Sequence, residues 1–307
     1  ANETFTNTNK IEDNKSFKDL MKWTFSSKSP KRVKIETSQE WKSLNKNSQD
    51  YAVWIGHATY LLNSSGITIL TDPLFSKRAS PVRFAGPKRL IPPAMSLEDL
   101  PKVDVITVSH NHYDHLDIAS LKKLYKLNPE ALFLVPKGDK KLLSRKGIKN
   151  VQEFLWWEEV EIKGTQFTFT PAQHWSARGI RDRNQSLWGG WFIKSLDRSL
   201  FHAGDTGYSQ DFKETRSRLG SPDVALIPIG AYAPRWFMSF SHVNPSEAVQ
   251  IAEDLGAEVA YGMHWGTFPL TDEEVLEPPA LLKSALEEKN LSKEFFKTVK
   301  PGELIKF

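Results

Sequence analysis

Val105-Ile106-Thr107-Val108-Ser109-His110-Asn111-His112-Tyr113-Asp114-His115 decides how the rest of the chain is read. A β-branched apolar run ends abruptly in three imidazoles and a carboxylate within six residues. Groups that polar are too costly to bury as core filling. They converge only if the chain turns sharply as it leaves a strand. Imidazole and carboxylate are the donors that suit zinc or a similar divalent ion, so the stretch predicts a metal-dependent hydrolase.

The composition agrees with an enzyme. At 307 residues, 39% hydrophobic and 25% charged, the chain can bury a large core and is not a disordered tail. A net charge of +4 is too mild to point to nucleic acid, although a basic rim would help an anionic lipid or phosphate approach. With zero Cys, disulfides and thiolate ligands are excluded and any metal must rest on His and Asp. No apolar run reaches the ~18 residues of a membrane span, so a soluble and a peripherally membrane-associated protein both fit. The opening Ala1-Asn2-Glu3 has neither Met nor a charged-then-apolar leader, which suits a processed or an engineered start.

Residues 1–48 are polar and Lys-rich and read as an N-terminal extension. Phe17, Leu20, Met21 and Trp23 make one side of a short helix, either packed on the body or facing lipid. Regular structure is expected to begin at Tyr51, within a catalytic domain expected over 49–307. Tyr51–Ile55, Tyr60–Asn63 and Gly66–Thr71 read as short antiparallel strands. Helices are expected over Ile118–Leu127, around Lys140–Arg145 and over Pro245–Leu255. Further strands are expected at Phe133–Val135, Val151–Phe154, Val160–Ile162, Gln166–Thr170, Leu187–Ile193, Ser199–His202, Val224–Ile229 and Glu258–Tyr261. Many strands with interspersed helices and a mid-chain return to antiparallel pattern predict an α+β fold. The arrangement is an αβ/βα four-layer sandwich, two mixed β-sheets flanked by helices.

Five of the eight His and two Asp sit at expected strand exits. His110 and His112 can meet one ion, while Asp114 and His115 turn toward a second. His174, Asp205 and His264 follow later strands. His57 and Asp72 fit partners that orient metal ligands, although His57 also fits a core hydrogen bond. His202 reads as structural. Gly189-Gly190 reads as relief of crowding rather than a phosphate cradle.

The order His57-Ala58-Thr59, Asp72-Pro73, His110-x-His112-x-Asp114-His115, His174, Gly204-Asp205-Thr206 and His264 resembles the metallo-β-lactamase superfamily. Gly86-Pro87-Lys88-Arg89, Gln173-His174-Trp175, Pro234-Arg235-Trp236-Phe237-Met238 and His264-Trp265-Gly266 narrow the likeness to the N-acyl-phosphatidylethanolamine-hydrolysing phospholipase D family. It runs from about residue 50 to the C-terminus. The resemblance implies two zinc ions, one on His110, His112 and His174 and the other on Asp114, His115 and His264, with Asp205 shared. It implies a membrane-associated, dimeric enzyme that cleaves a phospholipid phosphodiester, with His242 on the substrate phosphate and Arg178 on a loop beside the cavity. Asp205, Asp114 and His242 are then the residues expected at the reacting atoms. For His242, a phosphate hydrogen bond, a proton donation or a mere helix cap all fit the residues alone. Arg178 equally fits a solvated loop. Arg235, a candidate substrate contact, adjoins Phe237-Met238, which fits an acyl-channel wall or ordinary packing. Another phosphodiester or a lactone is the alternative substrate.

Overall fold

Seven strands form each of two sheets in the computed structural model, which describes residues 4–45, 47–48 and 50–307. The start Ala1–Glu3 lies outside the described residues. The first sheet contains β1 (Tyr51–Gly56), β2 (Thr59–Ser64), β3 (Ile67–Thr71), β4 (Val105–Thr107), β5 (Leu132–Pro136) and β6 (Val151–Phe154). The second contains β7 (Glu159–Ile162), β8 (Thr165–Thr170), β9 (Gly190–Lys194), β10 (Ser199–His202), β11 (Val224–Pro228), β12 (Val259–Met263) and β13 (Phe296–Lys297). The last strand, β14 (Leu304–Lys306), returns to the first sheet, whose order is β14-β1-β2-β3-β4-β5-β6. Helices are α1 (Phe17–Ser26), α2 (Ile118–Leu127), α3 (Lys140–Arg145), α4 (Asp211–Leu219), α5 (Arg235–Met238), α6 (Pro245–Leu255) and α7 (Glu277–Glu288).

Both sheets follow one plan. Four strands pair antiparallel, β14 to β3 in one and β7 to β10 in the other. Three more then continue in parallel. Alternation along each strand divides the core. On β1, Ala52 and Trp54 join the layer between the sheets, which also takes Phe167, Phe169, Trp191 and Ile193. Val53 and Ile55 turn the other way, toward Leu121, Leu124 and Leu143 of α2 and α3. Behind the second sheet α6 buries Ala248, Val249, Ile251 and Ala252 and packs on β11, α4 and α7. The four-layer sandwich expected from the pattern is the observed fold.

The helices over 118–127, 140–145 and 245–255 match the expectation. Asn244, with its side chain accepting from the Glu247 N–H, and Pro245 begin the last of them. One strand starts at Gly190 rather than at Leu187 as expected. Leu187–Gly189 do not extend β9; Leu187 N–H donates to the Lys137 carbonyl and Gly189 N–H to the Ser109 carbonyl, so this segment binds the first sheet instead. Among the described residues no helix is long and apolar enough to cross a membrane.

Candidate metal centre

Every expected ligand lies just beyond a strand. Asp72 follows β3, His110 to His115 follow β4, His174 follows β8, Asp205 follows β10 and His264 follows β12. Open sheets place ligands at this edge because each strand delivers a side chain there and the following loop is free to turn. The turns are tight. His57, Asp72 and His264 have φ of +53°, +35° and +64°, a region ordinary residues avoid and functional sites tolerate. Gly204 has φ +64°, and a Cβ there would lie 2.7 Å from both the Ser109 Cβ and the Gly189 carbonyl oxygen. Asp205 therefore approaches the His110 loop more closely than any side-chain-bearing residue at 204 would allow.

Two sets of donor atoms result. In the first, His112 Nδ1 lies 3.0 Å from His110 Nε2 and 3.2 Å from His174 Nε2. The outer nitrogens fix the tautomers. The Asp72 carboxylate, an acceptor only, takes the Ser109 hydroxyl proton at 2.6 Å, so Ser109 Oγ accepts from His110 Nδ1–H. His174 Nδ1–H donates to the Ser241 carbonyl at 3.0 Å. Both Nε2 atoms therefore turn lone pairs toward His112. Burial and the neighbouring imidazoles hold His110 and His174 well below the usual histidine range, and burial holds His112 at about 4. His112 Nδ1 can meet at most one of those two lone pairs as an N–H donor, whereas a cation among the three rings would satisfy all of them.

In the second set, His115 Nε2 and His264 Nε2 are 3.2 Å apart and each lies 3.3 Å from Asp114 Oδ2. Asp205 reaches both, with Oδ2 at 3.0 Å from His115 and Oδ1 at 3.1 Å from His264. Its Oδ2 is also 3.7 Å from His110 Nε2 and 3.9 Å from His174 Nε2, so Asp205 stands between the sets. Burial alone would depress these histidines. The Asp205 and Asp114 charges prevail, raising His115 well above its ordinary value and His264 to about 9. Burial would likewise raise the carboxyls, yet the histidines hold both well below the usual range. Two buried carboxylates drawing in protons form a site that divalent cations fit. The donor set is hard and borderline, oxygen and imidazole, with no sulfur.

The supporting residues divide as follows. Asp72 accepts from Ser109 N–H at 2.7 Å and from His115 Nδ1–H at 2.7 Å, so it orients one residue of each set. His57 does not contact Asp72. Its Nε2 lies 2.8 Å from Asp114 Oδ2, and its carbonyl accepts from Trp54 Nε1–H and from His264 N–H. His202 Nε2–H donates to the Ala58 carbonyl behind the site. Gly189 relieves crowding, because a Cβ there would lie 2.2 Å from the Thr170 carbonyl oxygen.

His242 joins His174 and Asp205 in one cluster. Burial holds it at about 4, with Asp205 opposing. It is not the cap of α6, a role that Asn244 fills. Both arginines hold backbone carbonyls, and Arg235 also pairs with a carboxylate. Arg178 Nη1 donates to the Asn111 and Leu116 carbonyls at 3.0 and 2.7 Å, and its guanidinium lies 4.0 Å from the Tyr113 ring centroid. It clasps the His110–His115 loop from outside, beside a second groove. Arg235 Nη1 donates to the His242 carbonyl at 2.8 Å and Nη2 pairs with Glu247 at 2.5 Å.

A cavity of about 470 Å³ opens onto His112, Asp114, Asp205 and His242. Its wall is mainly apolar, formed by Phe17, Leu20 and Trp23 of α1 together with Phe237, Met238 and Leu270, with Asp13, Lys15 and Arg183 also lining it. Trp23 stacks on Phe237 at 4.9 Å, and its Nε1–H donates to Asp272. One contributor is silent in the sequence. Asn7, in the polar N-terminal stretch, accepts from His174 N–H with its side-chain oxygen and donates to the His174 carbonyl.

Comparison with known proteins agrees with this fold. Residues 68–265 match the model of the beta-lactamase superfamily domain. N-acyl-phosphatidylethanolamine-hydrolyzing phospholipase D 1 of Caenorhabditis elegans is 44% identical over 83% of this chain and 75% of its own length. The mitochondrial N-acyl-phosphatidylethanolamine-hydrolyzing phospholipase D of Saccharomyces cerevisiae is 40% identical over 77% of this chain, which spans about half (52%) of that relative. A metallo hydrolase from the archaeon Ignicoccus hospitalis shares the fold, with a TM-score of 0.64 at 23% identity over 85% of this chain and 99% of its own. With its seven-stranded sheets and clustered His and Asp donors, the chain belongs to the beta-lactamase superfamily, alongside the N-acyl-phosphatidylethanolamine-hydrolysing phospholipases D, and is a metal-dependent hydrolase.

Proposed function

We propose that this protein is a dinuclear zinc phosphodiesterase that hydrolyses N-acyl-phosphatidylethanolamine to an N-acylethanolamine and phosphatidate. One observation carries the reading: the cavity runs from an apolar wall on α1 and α5 to a floor of Asp and His donors. That gradient matches an amphiphile whose phosphate lies at the metals and whose chains lie against Trp23, Phe237 and Met238. The two curated relatives bear the name of this activity.

His110, His112 and His174 would hold one zinc and Asp114, His115 and His264 the other, with Asp205 between them. When bound, the ions supply the positive charge that acidifies water and neutralises phosphoryl oxygens. In the overall reaction water adds to phosphorus, the bond from phosphorus to the ethanolamine oxygen breaks, and a proton ends on that oxygen. Asp205 orients the incoming water by accepting its hydrogen bond. His242, neutral in its buried setting, donates a hydrogen bond to a phosphoryl oxygen, or takes up the proton that the attacking water releases and passes it to the departing ethanolamine oxygen. Its main chain is kept in place by Arg235. Arg178 acts on the loop that presents His112 and Asp114.

The exposed apolar residues of α1, Phe17 and Phe25, would rest on a membrane surface from which lipid enters, and the protein would work there as a peripheral enzyme, in keeping with a homodimer. The test is mass spectrometry of products after the zinc-loaded protein acts on vesicles containing N-acyl-phosphatidylethanolamine. Phosphatidate and N-acylethanolamine in equal amounts are expected. Lysophospholipid or diacylglycerol alone, or turnover of lactones only, would sink the reading.

A further inference from the structure

We propose that Asn7 is a positioning residue for His174, its side-chain amide standing in for the missing neighbour strand along the segment that presents this ligand. The proposal rests on the reading of His174 as a metal ligand.

The segment beyond β8 behaves as a short strand with only one backbone partner. Gln173 forms a bridge with Gly207, whose N–H donates to the Gln173 carbonyl at 2.8 Å, and Gln173 N–H donates to Thr206 Oγ1 at 3.1 Å. In extended chain, successive peptide groups point to opposite edges. Since Gln173 faces residues 206 and 207, the N–H and carbonyl of His174 face the other way. His174 is fully buried, so those two groups need partners or carry a desolvation cost.

Asn7 supplies both. Its Oδ1 accepts from His174 N–H at 3.0 Å and its Nδ2 donates to the His174 carbonyl at 3.1 Å, a two-bond ring like that of a paired strand. Trp188 Nε1–H also donates to Oδ1, at 3.0 Å, which settles which way the amide is turned. Asn7 is 6% exposed, so the amide is enclosed rather than wetted. The surrounding segment is tethered independently: Phe5 N–H donates to the Asn184 carbonyl, Thr8 Oγ1 to Asp211 at 2.5 Å, and Asn9 Nδ2 to Gln173 at 2.7 Å. His174 thus has its ring set by the Ser241 carbonyl and its main chain set by Asn7. On this proposal the catalytic unit reaches back to Phe5 rather than starting near residue 49.

The experiment titrates the metal-free 307-residue chain with cobalt(II), read by visible absorption and equilibrium dialysis, beside thermal unfolding. Wild type, N7A and T8A are compared. N7A is expected to weaken the ion associated with His174 by about tenfold or more and to alter its absorption band, leaving the Asp114–His115–His264 ion unchanged. T8A cuts a tether of the same segment without touching His174. It is expected to lower Tm with metal affinity intact. Wild-type cobalt binding in N7A, or equal weakening by N7A and T8A, would overturn the proposal. If N7A is not recovered folded, N7Q, which keeps the amide but displaces it by one methylene, decides by the same comparison. An unsubstituted chain that binds no cobalt would instead overturn the metal reading beneath it.

Discussion

The two donor sets are built from similar residues and held in opposite ways. His110 and His174 lean on neutral acceptors, the Ser109 hydroxyl and the Ser241 carbonyl. His115 leans on the Asp72 carboxylate, and Asp114 is met by the His57 ring. The first set is neutral imidazole facing neutral imidazole, and the second is imidazole pressed against charge. The contrast teaches that a histidine's role follows from what its outer nitrogen touches. Asp72 is the exception that joins them, since it reaches His115 directly and His110 through Ser109.

The largest effect should come from removing what the sets share. D205N keeps the shape of Asp205 but cancels the charge facing both, so activity should fall by roughly two orders of magnitude or more, with loss of bound zinc. H242Q should depress turnover while zinc content stays normal. Initial rates measured beside zinc stoichiometry check both, and full zinc with full activity in D205N would erase the distinction between shared and separate ligands.

A smaller effect sharpens the contrast. D72N should weaken both ions by about 10–100-fold, because an amide cannot accept from Ser109 and His115 as a carboxylate does. S109A removes only the support of His110, so it should weaken one ion, by about tenfold. Competition with a chromogenic chelator measures the two affinities. Equal loss at both sites in S109A would show that the sets are not separately supported.

The sequence goes far toward this picture, for a physical reason. Residues 110 to 115 form a local cluster, and His174, Asp205 and His264 announce themselves by following apolar runs. Helices with a clear apolar stripe, such as α2 and α6, are legible for the same cause. Polar α4 has no such stripe, and α7 opens Glu277-Pro278-Pro279, which reads as a break. Neither is anticipated, nor are β13 and β14. Asn7 could not be found from pattern at all. Its partner lies 167 positions away, and a side chain that imitates a strand leaves no periodicity. Arginine directions are equally mute, because Arg178 and Arg235 bind carbonyls that any neighbouring loop could have offered.

The smallest effect lies outside both sets and serves as their control. Burial raises Asp139 from 3.8 to about 7, against hydrogen bonds from Ser186 and Asn111. Because its folded value lies above its unfolded one, the native state holds the extra proton between about pH 4 and 7. Stability from this group is therefore full at low pH and is lost as pH rises toward 7. D139N should flatten that part of the stability curve, measured by urea unfolding at several pH values, with zinc content unchanged. A wild-type slope in D139N would remove Asp139 from the account.

The return of β14 to β1 has a consequence for how the molecule comes to be. The edge of β1 that Lys306, Ile305 and Leu304 cover stays bare until β14, made after every other strand of the two sheets, is in place. Ala52, Val53 and Trp54 lie on that strand and are fully buried in the finished fold. An unpaired, apolar strand edge invites pairing with another nascent chain, and closure between distant segments is slow. Deleting β14 would thus injure the yield of folded protein before it touched the chemistry.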